Sequence, residues 1–354
     1  MGAPCDLVRE IVAGGALSDP AWRAAFAEVP RELFVPFYYA AARDGGYERL
    51  WRDDPDPERR ARWREGVYTD QPLATRIRDG ELISSSSQPS LMARMLEYLR
   101  VEDGMTVLEI GTGPGYNAAL LCHRLGDSRV TTVDLDPDIT DAARAHLAAA
   151  GRRPRVITGD GARGCPAHAP YDRIIATCAL PSVPPAWLAQ CAKDALILAP
   201  LATGLLALRV GGEAAASGHG ETASAERGHA EDTAPEREEA AASGHFTPTP
   251  AYFVPLRGGT PAPPPPPPAT PGVPGHARRD DSFRFLLAVS GGRLEPEEAY
   301  ALWHREGRPG RERYGVTVAD GRQWAWLDDP YGPYAWPLGG TGGTAVGTAD
   351  PSGA

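Results

Sequence analysis

The chain is 354 residues long and 42% hydrophobic, enough for two domains and a sizeable core. Its net charge of -10 argues against non-specific binding to nucleic acid. Five cysteines without a C-x-x-C pair (Cys5, Cys122, Cys165, Cys178, Cys191), no visible signal-peptide pattern and no apolar run of membrane-spanning length point to reduced thiols in a cytoplasmic protein off the membrane.

Asp19-Pro20-Ala21-Trp22 opens a helix, with Asp as N-cap and Pro in the first turn. Trp22, Phe26 and Val29 share one face at helical spacing. Val29 to Pro36 is an apolar, proline-bounded run that reads as core packing. Residues 40–66 are charged and read as a surface helix or loop. An extended pair follows, turning at Asp79-Gly80. Ile83-Ser84-Ser85-Ser86-Ser87-Gln88-Pro89 then leads into a helix from Ser90 to Leu99. Hydroxyls and free N–H groups there suit an anion such as a carboxylate, but composition alone favours a serine-rich loop with an N-cap.

Between 105 and 208 strands and helices alternate. Strands are expected at 106–110, 130–134, 155–158, 172–177 and 195–200, and helices at 116–125, 138–150 and 185–192. This is a doubly wound α/β unit. Cys178 ends its fourth strand without a histidine in sequence reach, so a packed thiol is expected rather than a nucleophile.

Residues 211 to 244 are Ala, Gly, Glu and Ser with almost no large apolar side chains, and disorder is expected there. Neither His219 nor His229 nor His245 has metal-ligand spacing, and no metal site is expected. A strand over Thr247 to Leu256 makes the low-complexity stretch an insertion between two strands. Residues 259–280, with the run Pro263 to Pro268, read as a semi-rigid linker. A second unit spans 281–338. Phe283 to Val289 is strand-like, Glu295 starts a helix holding Tyr300 and Trp303, and a hairpin turns at Asp320-Gly321. Trp324 and Trp326 lie on one face and read as core. Residues 339–354 read as a flexible tail. The expected organisation is thus 1–104, 105–258, 259–280, 281–338 and 339–354.

The chemistry concentrates at Val107-Leu108-Glu109-Ile110-Gly111-Thr112-Gly113-Pro114-Gly115-Tyr116. A β-prone run ends in three alternate glycines and a helix, and the G-x-G-x-G spacing differs from the dinucleotide fingerprint. Asp134 ends the next strand, where a carboxylate suits the hydroxyls of a ribose. Gly159-Asp160-Gly161 follows the third strand. An acid at each of three strand ends is the pattern of S-adenosylmethionine methyltransferases.

Several stretches together resemble the protein L-isoaspartyl O-methyltransferase family, in order from about residue 5 to 258. They are Val29 to Pro36 (V-P-R-x-x-F-V-P), Tyr68 to Leu73, Ser87-Gln88-Pro89 (S-Q-P), Leu108 to Tyr116, Gly159-Asp160-Gly161 with Ala169-Pro170-Tyr171-Asp172, and Tyr252 to Leu256. The resemblance implies a Rossmann-like doubly wound α/β sheet with an N-terminal helical segment and, here, a small C-terminal α+β extension. By it Glu109, Gly111, Thr112, Gly113, Gly115, Asp134, Asp160 and Gly161 bind S-adenosylmethionine. Ser87, with Ser86 and Gln88 beside it, positions the substrate carboxylate. Extra serines separate Ile83 from Ser87, where the family sets Ile next to the Ser of S-Q-P, so the register of Ser84 to Ser87 stays open.

The linker and C-terminal unit, absent from stand-alone repair members, favour a variant that methylates an aspartate in a ribosomally made peptide, such as one modified by an ATP-grasp ligase, or a lanthipeptide. The S-S-Q-P stretch and Trp326 to Pro330 look similar to such enzymes, and the ester would then close to an aspartimide. The alternatives are repair of isoaspartate in damaged proteins and a non-catalytic scaffold for a modifying ligase. A dehydrogenase fits least.

Overall fold

The computed structural model describes residues 3–42, 45–211, 241–258 and 272–339. The low-complexity residues 212–240 with His219 and His229, the run Pro263 to Pro268 and the tail from 340 lie outside the described residues. Among the described residues no helix is long and apolar enough to cross a membrane.

The N-terminal part begins with α1 (Ala3–Ala13) and α2 (Pro20–Glu28). Asp19 caps α2 by accepting from Ala21 N at 2.7 Å. The charged stretch expected as surface helix or loop divides into β1 (Phe37–Ala41), β2 (Tyr47–Trp51) and α3 (Pro57–Val67). Its buried anchor is Trp63, whose indole donates to Val35 O. Next come β3 (Leu73–Arg78) and β4 (Glu81–Ser86), turning at Asp79-Gly80, then α4 (Pro89–Leu99). These strands form a four-stranded antiparallel sheet in the order β2-β1-β3-β4.

The central unit contains β5 (Val107–Ile110), α5 (Tyr116–Leu125), β6 (Val130–Asp134), α6 (Pro137–Ala149), β7 (Arg155–Thr158), β8 (Tyr171–Ala176), α7 (Pro185–Leu188), β9 (Cys191–Leu201), β10 (Gly204–Val210) and β11 (Ala242–Pro250). Strands β5 to β9 pair in parallel. From β5 the sheet runs to β6 and β7 on one side and to β8 and β9 on the other. That change of direction is a topological switch point, where open α/β sheets bind ligands at the carboxyl ends of strands.

The C-terminal stretch adds α8 (Gly275–Arg279), α9 (Asp281–Val289), α10 (Pro296–Arg305), β12 (Tyr314–Ala319), β13 (Arg322–Leu327) and β14 (Ala335–Pro337). Its strands extend the central sheet, because β12 pairs antiparallel with β11 from Ala242↔Val318 to His245↔Gly315. The result is one ten-stranded sheet, β14-β13-β12-β11-β10-β9-β8-β5-β6-β7. The hairpin at Asp320-Gly321 forms as expected.

Three expected elements differ. Phe283 to Val289 is helical: Asp280 caps Ser282 N at 2.9 Å, and Phe283, Leu286 and Val289 are buried at helical spacing. The strand expected over 247–256 lies earlier, at Ala242–Pro250, and the remainder makes a single bridge, Ala179↔Pro255. Proline at 250 and 255 supplies no N–H to a ladder there. The helix expected at 185–192 stops at Leu188 because β9 already starts at Cys191.

Candidate functional site

The cleft opens at the carboxyl ends of β5 and β6. Gly111, Gly113 and Gly115 have φ of +95°, +51° and +91°, a region that side chains disfavour. Their surroundings differ. A Cβ on Gly111 would stand 2.5 Å from Thr177 Oγ1, and one on Gly113 would stand 3.4 Å from Ser85 O. Gly115 packs against Ala143 and Leu147 of α6 and does not line the cleft. Asp134 latches the loop: Gly113 N donates to its Oδ2 at 3.0 Å, and Asp136 N to its Oδ1 at 3.4 Å. Burial raises the Asp134 carboxyl above its ordinary range, opposed by those N–H donors and by Arg257.

Glu109 lies beneath the loop and is 0% exposed. Its Oε1 accepts from Asn117 Nδ2 at 2.7 Å and its Oε2 from Thr132 Oγ1 at 2.6 Å. Thr132 in turn meets Thr112 Oγ1 at 2.7 Å. Burial pushes the Glu109 carboxyl up to about 7. Asp160 caps the turn after β7 through Ala162 N at 2.9 Å and lies against Gly258. Gly161 lines the cleft, whereas Asp160 does not. Cys178 also lines it, and burial raises its thiol to about 12, so it stays protonated at neutral pH.

The serine run alternates. Ser86 is buried, and its hydroxyl accepts from Arg31 Nε at 3.3 Å. Ser84 is also buried and accepts from Thr75 Oγ1 at 3.2 Å. Ser85 and Ser87 are less enclosed. Arg31, 0% exposed, organises the region: its guanidinium donates to the carbonyls of Val67, Thr69, Gln71 and Ser87, each at 3.1 Å. Burial lowers Arg31 to about 10, and it remains charged at neutral pH. Asp70 accepts from Ser90 N at 2.8 Å and from Gln88 Nε2 at 3.0 Å. The first N–H groups of α4 are therefore partly occupied within the protein.

The glycine-loop cleft has about 800 Å³ of empty space. A neighbouring groove of about 1140 Å³ is lined by Pro72, Leu82, Gln88, Leu91, Tyr252 and Phe253, among others. Ser85, Ser87 and Val254 line both. The 254–257 segment closes one side of the cleft, with Ala179 N donating to Val254 O and Leu256 N to Ala179 O. Arg257, the one cationic side chain lining the cleft among the described residues, donates to Ile83 O at 3.1 Å.

The structure thus brings Glu109, Gly111, Thr112, Gly113, Asp134, Gly161, Ser86 and Ser87 to one cleft and leaves Gly115, Asp160 and Gln88 outside its lining. Sequence reading missed Arg31, Asp70, Asn117 and Arg257. Two of them left a signal: Arg31 is a charge inside the apolar, proline-bounded run Val29 to Pro36, and Asp70 lies inside the Tyr68 to Leu73 stretch.

A family model described as Protein-L-isoaspartate(D-aspartate) O-methyltransferase (PCMT) matches residues 59–209. The protein-L-isoaspartate O-methyltransferase of Methanoculleus marisnigri is 36% identical over 197 residues, covering 55% of this chain and 76% of that protein. Protein-L-isoaspartate O-methyltransferase 1 of an Anaeromyxobacter species is 37% identical over 212 residues, 58% of this chain and 83% of that one. A solved structure named protein-L-isoaspartate O-methyltransferase has a TM-score of 0.56 at 19% identity, covering 94% of this chain and 98% of its own. That shared fold reaches into the C-terminal stretch.

Proposed function

The chain belongs to the protein-L-isoaspartate O-methyltransferase family, and from that premise we propose that it methylates the carboxylate of isoaspartyl residues in proteins or peptides. The family's methyl donor, S-adenosylmethionine, supplies an electrophilic methyl group on a sulfonium. The cleft fits such a ligand. Gly111 and Gly113 keep side chains off the loop, and Asp134 keeps lone pairs that can accept from ribose hydroxyls. In this reading Gly111, Thr112 and Gly113 form the bed. Gly161 borders the base, on the turn that Asp160 holds, and Gly115 seats α5 against α6.

The observation that carries the proposal is that Ser85, Ser87 and Val254 line both the cleft and the groove. A peptide in the groove would bring a carboxylate to the donor cleft at that junction. Ser87 positions the carboxylate, Ser86 holds the loop through Arg31, and Gln88 stays tied to Asp70 at the rim. A carboxylate is already ionised at neutral pH, with an ordinary pKa of about 4, so no general base is needed. The site's work is alignment. Five free cysteines suit a reducing, cytoplasmic setting.

The peptide-tailoring reading rests on the C-terminal stretch, on the S-S-Q-P stretch and on Trp326 to Pro330. Trp326 is buried, and Asp328 pairs with Arg313 at 2.6 Å, so that stretch has structural work of its own. A structure named protein-L-isoaspartate O-methyltransferase shares its fold over 94% of the chain, so the extension by itself does not favour tailoring. We therefore favour isoaspartyl methylation. Mass spectrometry with S-adenosylmethionine on two substrates tests this. Methylation of an isoaspartyl peptide alone is the expected outcome. Methylation of ordinary aspartate in a cyclised, ligase-modified precursor, followed by loss of methanol, would mean tailoring to an aspartimide.

A further inference from the structure

Beside the cleft, one buried side-chain oxygen has no partner among the described residues. Asn117 is 7% exposed and lines the cleft on the first turn of α5. Its Nδ2 donates to Glu109 Oε1, but its Oδ1 is buried and has no hydrogen-bond partner among the described residues. A buried acceptor left unmade is costly, so its retention calls for a donor.

The orientation of the amide is fixed from behind. Both Glu109 oxygens are engaged, Oε1 by Asn117 and Oε2 by Thr132, whose hydroxyl also meets Thr112. Turning the amide over would set Oδ1 against Oε1, acceptor against acceptor. A proton on Glu109 Oε2 keeps this arrangement: it is donated in a hydrogen bond to Thr132 Oγ1, Thr132 turns its own hydroxyl proton to Thr112, and Oε1 still accepts from Asn117. Glu109, with both oxygens engaged, thus holds the Asn117 amide in place from behind.

The donor that suits this atom is cationic. Glu109 and Asp134 line the same cleft, and the one cation there, Arg257, is held at Ile83 O. Of the two cationic groups on S-adenosylmethionine, the sulfonium has no N–H; the α-ammonium has three. Resting on the methyl-donor reading above, we propose that Asn117 Oδ1 accepts a hydrogen bond from the α-ammonium of the bound donor. Glu109, with Thr132 and Thr112, is the positioning assembly that presents it.

Asn117 is the single asparagine in the sequence, so asparagine-selective 15N labelling of the wild-type protein gives one side-chain amide signal. We expect S-adenosylhomocysteine to shift that signal and its analogue without the α-amino group to leave it near the free position. Equal shifts with both ligands would overturn the proposal. Calorimetry supplies the second arm, on Asn117→Ala after its cooperative melting has been checked. Wild type should prefer S-adenosylhomocysteine over the deaminated analogue by roughly tenfold more than the variant does, the scale of one hydrogen bond to a charged group. An unchanged preference in the variant would also overturn it. If wild type binds neither ligand, the methyl-donor reading fails, and this inference fails with it; binding of both with no role for Asn117 fails this inference alone.

Discussion

Two buried ionisable residues carry the site's internal order, and they are satisfied in opposite ways. Arg31 keeps its charge because five carbonyl groups and one hydroxyl surround it. Glu109 has only two donors, and burial pushes its carboxyl up to about 7. The unfolded value is about 4.3. Between those values the folded protein keeps a proton that the unfolded chain releases. The stability due to this group is fully present below the lower value and is lost as pH rises through the upper one. Glu109→Gln removes the titration while retaining an acceptor toward Asn117 and a donor toward Thr132. Urea unfolding at about pH 5 and about pH 8 should show the variant gaining on wild type at the higher pH. Parallel losses in the two proteins would mean that Glu109 folds with an ordinary carboxyl.

At the scale of elements, what the sequence disclosed was local chemistry. The turn pairs Asp79-Gly80 and Asp320-Gly321 adopt positive φ, as two-residue hairpin loops require, and both hairpins form where Asp-Gly stands. The glycine loop and the acid at Asp134 were legible for the same reason. Long-range pairing was not. A seven-residue apolar run such as Phe283 to Val289 suits strand or helix, and Asp280 at its start decides for helix. The strand at Ala242–Pro250 has a weak pattern of its own; its neighbours on both sides supply it, and Gly244 leaves room for the approaching backbone at Ala207. At the serine-rich loop, the serines did not disclose that a distant arginine and Asp70 fix their register. Asp70 serves α4 as an N-cap from outside the helix. Asp70→Ala should cost about 1 kcal/mol of stability in urea unfolding, the usual worth of a cap. It should weaken peptide KM while leaving the affinity for S-adenosylhomocysteine near wild type, because Asp70 borders neither the glycine loop nor Asp134. An equal loss of donor affinity would extend the role of α4 into the cleft.

Over the whole molecule, the C-terminal stretch shares both sheet and core with the central unit. Phe285 stacks edge-on against Phe246 of β11 at 4.9 Å and against Tyr314 of β12 at 5.1 Å. Arg311 is 6% exposed; it bonds Thr203 O at 3.2 Å, pairs with Asp281 at 2.7 Å and lies over the Phe285 ring. Removing everything after residue 258 would open the β11 edge along Ala242 to His245 and uncover Phe246. Each large apolar side chain brought to water costs about 1.5–3 kcal/mol. Several such side chains together approach the 5–15 kcal/mol that holds an ordinary domain. The truncated chain should therefore elute as aggregate in size exclusion and lose its cooperative melt, an open strand edge being a pairing site for other copies. A C-terminal stretch that folded as a separate domain would give the other result, a monomeric truncated chain with an unchanged melt that still binds S-adenosylhomocysteine. The two outcomes differ because continuity of the sheet, rather than the length of the linker, decides whether the catalytic half can stand alone.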